Sequence, residues 1–244
     1  MPDDRRHRGA HPEDRELFAP RWHGALRSAV ADLSWLLSRR YATPSALKVV
    51  GDRYELNVRQ RTAVMRCACA DEARDARRGR EIPLGAVGGG RALWVDGYNV
   101  LTTVEAALAG GLVIVGRDGC WRDMASMHGT WRRVEETPAA LRLVGDALAR
   151  AGARGDVTWY LDSPVSNSGR LKGVIEDVAG ERGWPWRVTL ALDPDKVLRA
   201  AAGGNDDVVV ATADSGVLDD CGAWVSLARE VVGRIDGVWR VDLS

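Results

Sequence analysis

Two kinds of hydrophobic spacing divide the chain. In the first eighty or so residues the apolar positions recur at helical intervals. Trp22, Leu26, Val30, Leu33 and Leu37 follow one another at four, four, three and four residues, which sets them on one helical face. Tyr41-Ala-Thr-Pro-Ser ends that helix and opens a second, short one over about Ser45–Val50, with Thr43 as N-cap, Pro44 in the first turn and Gly51 as the stop. Asp52–Asn57 is read as a turn, and a third helix is predicted from Val58 to about Ala70. A short helix, a turn and a basic helix suit a helix-turn-helix-like module, with Arg59, Gln60, Arg61 and Arg66 on the reading helix. The alternative is a plain helical bundle whose arginines face solvent. Residues 71–90 combine a charged stretch lacking an apolar stripe with Gly85, Gly88, Gly89 and Gly90, the composition of a junction.

Beyond the glycines the apolar residues form short Val-rich runs: Ala92–Val95, Leu112–Val115, Val157–Leu161, Val188–Leu192, Val208–Ala211 and Trp224–Leu227. None alternates strictly between apolar and polar, as expected of strands covered on both faces. Helical patterns lie between them. Thr137 to about Ala151 sets Leu141, Val144 and Leu148 on one face, and Ser168 to Arg182 does the same with Leu171, Val174, Ile175 and Val178. Alternating strands and helices predict an α/β fold, a mostly parallel sheet with helices on both faces, preceded by a small all-α domain. The expected boundaries are a helical domain over 15–80, a linker over 81–90 and the α/β domain over 91–244. Asp236-Gly237 suggests a closing hairpin within Gly233–Ser244.

Composition narrows the class. The chain has 244 residues, 45% hydrophobic and 28% charged, the values of an ordinary globular protein. Only the first fifteen or so residues, rich in Arg, His, Asp and Pro, lack the makings of a packed segment. No apolar run approaches the ~20 residues of a membrane helix, and the N-terminus has no apolar signal core, so no membrane is expected and the cytoplasm is the expected location. Cys67, Cys69, Cys120 and Cys221 form no CxxC pair, so reduced structural thiols are expected, not a disulfide framework or a zinc site. Net charge is zero, yet residues 1–90 hold 17 Lys or Arg against 12 Asp or Glu, leaving the remainder acidic by the same margin. A basic head on an acidic body suits a nucleic-acid reader joined to a metal-binding domain.

Candidate chemistry gathers where the strands end. In open parallel sheets, ligands sit beyond the carboxyl ends of the strands. The first strand leads into Asp96-Gly-Tyr-Asn99. The strand at 157–161 leads into Asp162-Ser-Pro and then Ser166-Asn167-Ser168. The strand at 188–192 leads into Asp193-Pro-Asp195, and the strand at 208–211 reaches Asp214 with Asp219 a turn later. A single Asp in such a place is more often a helix cap. Four at one sheet edge repel one another unless a cation neutralises them, and hard oxygen ligands suit Mg²⁺ or Mn²⁺ over zinc. Only His128 of the four histidines lies in the α/β part, which argues against His-based acyl transfer. The loop before the helix at Ser168 is read either as plain capping or as a phosphate cradle formed by Ser166, Asn167 and Ser168.

LWVDGYNVL resembles the opening motif of PIN/NYN-like nuclease domains, a strand followed by Asp and, three residues on, Asn. VVVATADSGVLD is similar to the late motif of that superfamily, and DPDKVLRAA resembles the helix start that carries another of its acids. The two-part arrangement also resembles an uncharacterised bacterial and archaeal family in which a short helical domain precedes a PIN-like one. The resemblance implies a divalent-metal-dependent nuclease whose catalytic and metal-binding acids are Asp96, Asp195 and Asp214, completed by Asp162 or Asp219. Asn99 would orient the Asp96 loop or contact phosphate. The implied cofactor is Mg²⁺ or Mn²⁺, and the implied partner is nucleic acid, RNA before DNA, met also by Arg59 and Arg61 of the head. A homo-oligomer stays open.

The mid-chain acid of the superfamily has four candidates here: Asp118, Asp123, Glu135 and Asp162. Arg117–Arg133, with Trp121, Trp131 and five basic residues counting His128, has no counterpart. Its rings either stack on bases or fill the core, the second reading being preferred. Two other functions compete. One is a non-catalytic nucleic-acid-binding or regulatory protein on the same fold. The other, ranked last, is a HAD-like phosphatase, whose chemistry usually wants a second acid where Tyr98 stands.

Overall fold

The computed structural model describes residues 7–88, 90–125, 131–153, 155–202 and 207–244. Five helices come first: α1 (Asp14–Leu17), α2 (Pro20–Ser38), α3 (Thr43–Arg53), α4 (Val58–Cys67) and α5 (Asp71–Arg80). Then follow β1 (Ala92–Asp96), α6 (Gly97–Leu108), β2 (Val113–Val115), β3 (Trp121–Asp123), α7 (Thr137–Arg150), β4 (Val157–Asp162), α8 (Ser168–Arg182) and β5 (Trp186–Ala191). The chain closes through α9 (Pro194–Arg199), β6 (Val208–Ala211), α10 (Ser215–Asp220), β7 (Trp224–Val225), α11 (Leu227–Val232) and β8 (Arg240–Asp242).

The main sheet has the order β5-β4-β1-β6-β7 and every pairing is parallel. The expected α/β fold with a covered parallel sheet is present, and β1 shows why its sequence is apolar throughout. Leu93 and Val95 enter one core with α6, α7, α8 and α11, while Ala92 and Trp94 pack with α9 and α10 on the opposite face. β6 divides likewise, Val209 and Ala211 to one side and Val208 and Val210 to the other. A strand buried on both faces has no polar side to show.

The strand order places a topological switch at β1. The chain moves from β1 to β4 and outward to β5, then returns across to β6 on the other side of β1. Crossovers that part in opposite directions leave a crevice at the carboxyl ends of the strands, here beyond Asp96.

Several elements depart from the sequence expectations. Gly51 lies inside α3 and does not stop it; a side chain there would collide with the guanidinium of Arg61. The chain leaves α3 at Tyr54 and turns through Glu55 at φ 52°. The charged stretch at 71–80 is helical, and its Arg77 finds a buried partner in Asp118 that no apolar stripe announces. Ile82 donates to the Trp224 carbonyl at 2.9 Å, and Leu84 and Val87 are buried, so residues 82–87 lie against the body. The closing segment makes no hairpin: β8 pairs in parallel with β2, which pairs antiparallel with β3, in a second three-stranded sheet. Residues 7–14 are not an unpacked tail, since Arg8 pairs with buried Glu105 and Asp14 is itself buried.

The second core spans the two halves of the sequence. Leu26, Val30, Leu33, Val50 and Val64 of the head meet Leu112, Ile114, Val241 and Leu243 around the small sheet. All four cysteines are free thiols and buried, as expected. No helix among the described residues is long and apolar enough to cross a membrane.

Candidate functional site

Beyond the carboxyl ends of β1, β4, β5 and β6 lies a cavity of about 540 Å³ lined by Asp96, Asp123, Asp162, Asp195 and Asp214. Strand ends and helix starts deliver four of these acids. Asp96 ends β1 and caps α6, although the bond from Asn99 N to its Oδ1 is long at 3.4 Å. Asp214 caps α10, accepting from Val217 N at 3.0 Å. Asp162 is the last residue of β4, and Asp195 lies in the first turn of α9, whose cap is Asp193.

One hydroxyl joins the two principal acids. Thr212 Oγ1 donates to Asp96 Oδ2 at 2.7 Å and accepts from Asp214 N at 2.9 Å. Asn99 completes the link, its Oδ1 accepting from Ala213 N at 2.8 Å. Asn99 thus holds the β6 loop by a backbone bond, whereas the role expected of it is to orient the Asp96 loop or contact phosphate.

The electrostatics are those of acids that are buried and close to one another. Burial, followed by the charges of Asp214 and Asp195, pushes the Asp96 carboxyl up to about 7 against the hydrogen bond from Thr212. Asp195 is also raised, first by burial and then by Asp214. Burial and Asp193 raise Asp162, whose Oδ1 is buried without a hydrogen-bond partner among the described residues. Tyr98 Oη is equally orphaned, and burial with the charge of Asp162 pushes it up to about 12. Buried oxygens without a partner are rare, and these two both belong to residues that line the cavity.

Of the four candidates for the mid-chain acid, Asp123 and Asp162 reach the cavity. Asp123 is already well supplied: Thr102 and Thr103 hydroxyls donate to its Oδ2 at 3.1 and 3.0 Å, and Ala125 N to its Oδ1 at 2.7 Å. Asp118 instead sits in a buried ion ladder. Arg122 grips it with two parallel bonds, at 2.9 and 2.7 Å, and Arg77 adds a third at 2.7 Å. Against a burial that would raise it, Arg122 and then Arg77 hold the Asp118 carboxyl down at about 2.

Three groups of the expected site residues lie outside the acidic cavity. Asp219 is not among the acids lining the cavity; its carboxylate is taken by Arg77 at 2.8 Å, so it belongs to the scaffold of α5. Arg59 is spent on buried Asp14, an acid that would otherwise be uncompensated. Arg61 donates to Asp52 at 2.8 Å and to the Leu56 carbonyl, tying α3 to α4. On α4 only Arg66 reaches the cavity, where it donates to the Asp123 carbonyl at 2.6 Å. Ser166, Asn167 and Ser168 are not in the acidic cavity. Ser168 is buried, and the Asn167 amide donates to the Trp131 carbonyl at 3.0 Å. Trp131 is fully buried and Trp121 partly so, in keeping with the core-filling reading; His128 lies outside the described residues.

Thr102, Thr103 and Arg122 escape a reading confined to the strand ends. The signal for the two threonines is there once a helix is drawn after Asp96, since Tyr98, Asn99, Thr102 and Thr103 then share a face. Arg122 bears on the site indirectly: its Nε donates to the Ala213 carbonyl at 2.8 Å, beside Asp214.

The donor set is all oxygen, which suits a hard divalent ion. Among the described residues no three His, Cys, Asp or Glu side chains stand close enough to enclose a metal. Mg²⁺ is usually held by one or two carboxylates with water and substrate phosphate, and the residues here that could hold such an ion are Asp96 and Asp214.

A family model described as a domain of unknown function (DUF5616) matches residues 88–230, and one described as a protein of unknown function (DUF434) matches residues 25–80. The chain is similar to an uncharacterized protein, MJ0935, of Methanocaldococcus jannaschii, 26% identical over 153 residues that cover 63% of this chain and 72% of that one. No solved structure matches.

Proposed function

The chain belongs to the DUF5616 family, and from its acidic cavity we infer that it is a divalent-metal-dependent nuclease of the PIN/NYN-like kind, acting on RNA in the cytoplasm. The observation that carries this reading is the Thr212-linked pair Asp96 and Asp214, with an Asp96 carboxyl that burial first, and then the charges of Asp214 and Asp195, push up to about 7. Carboxylates brought together at such a cost are the mark of a site that works with a cation.

Asp96 and Asp214 would hold the ion, and Asp195 and Asp162 line the same cavity. A bound Mg²⁺ or Mn²⁺ supplies an activated water and offsets the charge that builds on a phosphodiester. The chain does the rest. Thr212 and Asn99 fix the two ligand loops, and Asp162 and Tyr98 offer an acceptor and a donor toward substrate. Arg122 and Arg66, both lining the cavity, moderate its negative charge near an approaching phosphate.

A second reading keeps the fold and drops turnover. It makes the protein a binder of nucleic acid.

Cleavage of single-stranded and structured RNA with Mn²⁺ separates the two. The parent cleaves, a chelator abolishes the activity, and Asp96→Asn and Asp214→Asn lower it by several orders of magnitude. Asp156→Asn, at the amino end of β4 and paired on the surface with Arg187, keeps it. Equal rates in the parent and both site variants would reject the nuclease reading, and a parent inactive on every substrate would leave the binder.

A further inference from the structure

The loop between β4 and α8 is the wall of two cavities. Val165 lines the acidic one, and Asn167, two residues on and so at most about 7 Å away along the chain, lines a second of about 560 Å³. The charge of the second is the reverse of the first: Arg132, Arg133 and Arg170 line it against Glu135 alone. Its geometry is set by two bonds across the wall, Trp131 N to the Ser166 carbonyl at 3.0 Å and the Asn167 amide to the Trp131 carbonyl at 3.0 Å. Because its side chain is turned to Trp131, Asn167 gives α8 no side-chain cap.

Two of its three arginines are not satisfied from within. Arg133 and Arg170 are exposed, and neither makes an ion pair or side-chain hydrogen bond among the described residues, whereas Arg59, Arg61, Arg77 and Arg122 all do. The indole N–H of Trp131 is a buried donor with no partner among them either. Three guanidiniums against one carboxylate make a lining with an excess of charged donors, and such linings are complementary to phosphate oxygens.

We propose that this cavity binds a backbone phosphate of single-stranded RNA beside the acidic cleft, an inference that rests on the nucleic-acid reading above. The acidic cavity repels a polyanion until a cation is bound. A basic cavity sharing its wall supplies the attraction that brings the strand there and fixes which phosphate faces the acids. Arg133 and Arg170 are positioning residues in this scheme and touch no reacting atom.

The test is the affinity of the full chain for a fluorescently labelled oligouridylate, read by anisotropy in a chelator across a range of salt. In the double variant Arg133→Ala, Arg170→Ala affinity falls about tenfold, and the log–log salt slope shrinks by roughly 0.7 for each phosphate that is no longer neutralised. Arg133→Lys with Arg170→Lys recovers part of both. Arg27→Ala with Arg150→Ala removes the same charge elsewhere on the surface and leaves both nearly unchanged. Unchanged affinity and slope in the first variant, or an equal loss in the distant control, would overturn the assignment. Since binding is measured without metal, a parent that binds through Arg133 and Arg170 but never cleaves upholds the cavity while the hydrolytic reading falls.

Discussion

Asp96 shows how one side chain can serve as a cap, a tether and a strained charge at once. Its folded-state pKa of about 7 stands well above the unfolded value of 3.8. Below pH 4 the carboxyl is protonated in both states and adds no pH dependence. Between about pH 4 and 7 only the unfolded chain ionises, so stability falls as pH rises; above 7 the full penalty is in place. Asp195 and Asp162, also raised, act in the same direction. Asp118 acts in the opposite sense at lower pH, its stabilisation being lost as pH falls from about 4 through about 2. Urea unfolding of the metal-free protein should therefore give a midpoint that declines from pH 4.5 to 7.5, and Asp96→Asn should flatten most of that decline. A variant as steeply pH-dependent as the parent would show that Asp96 is not held in this state.

At the scale of elements, the least expected result is α5. Its sequence DEARDARRGR has no apolar stripe, yet Arg77 is 3% exposed and joins three distant segments. It donates to Asp118, to Asp219 and to the Ser215 carbonyl, while its own carbonyl accepts from Trp224 Nε1 at 2.7 Å. Asp118 is the shared anion of Arg77 and Arg122, so Asp118→Ala leaves two buried guanidiniums without it. Removing one partner of a buried ion pair costs about 3–5 kcal/mol. Chemical denaturation should show a loss of that size, and hydrogen exchange should show faster opening of α5 and of the Ala213–Ser215 loop. A loss under about 1 kcal/mol would mean that Asp219 and backbone carbonyls satisfy both arginines by themselves.

For the molecule as a whole, the head and the small sheet share one core, which makes the helical segment part of the body's stability. Leu112, Ile114, Val241 and Leu243 are each at most 2% exposed and pack with α2, α3 and α4. Burying an aliphatic side chain of this size contributes about 1.5–3 kcal/mol, so uncovering four forfeits up to about 6–12 kcal/mol. Whole domains are stable by only about 5–15 kcal/mol. A fragment of residues 91–244 should therefore be insoluble or bind a hydrophobic dye strongly, with a broadened thermal transition. A fragment with a sharp transition and no dye binding would show that the small sheet closes over its own apolar face.

The sequence by itself determined the alternation of elements and the acids at the strand ends. Both are local properties. A Val-rich run buried on two faces, a helical stripe and an Asp after a strand are each written within a few neighbouring residues, and parallel pairing then brings the ends of separate strands to one edge. The contiguous stretches at 92–95, 157–161 and 208–211 reappear as β1, β4 and β6 with shifts of at most one residue. Only the tertiary structure decided which acids are paired off and which remain in the cleft. Asp219 and Asp214 look alike in the sequence, and so do Arg61 and Arg66; what separates them is a partner far away in the chain, such as Arg77 for Asp219. The same holds for α5 and β8. A helix held by buried ion pairs and a strand completing a sheet begun over a hundred residues earlier leave no periodic trace, because the interactions that stabilise them lie in other segments.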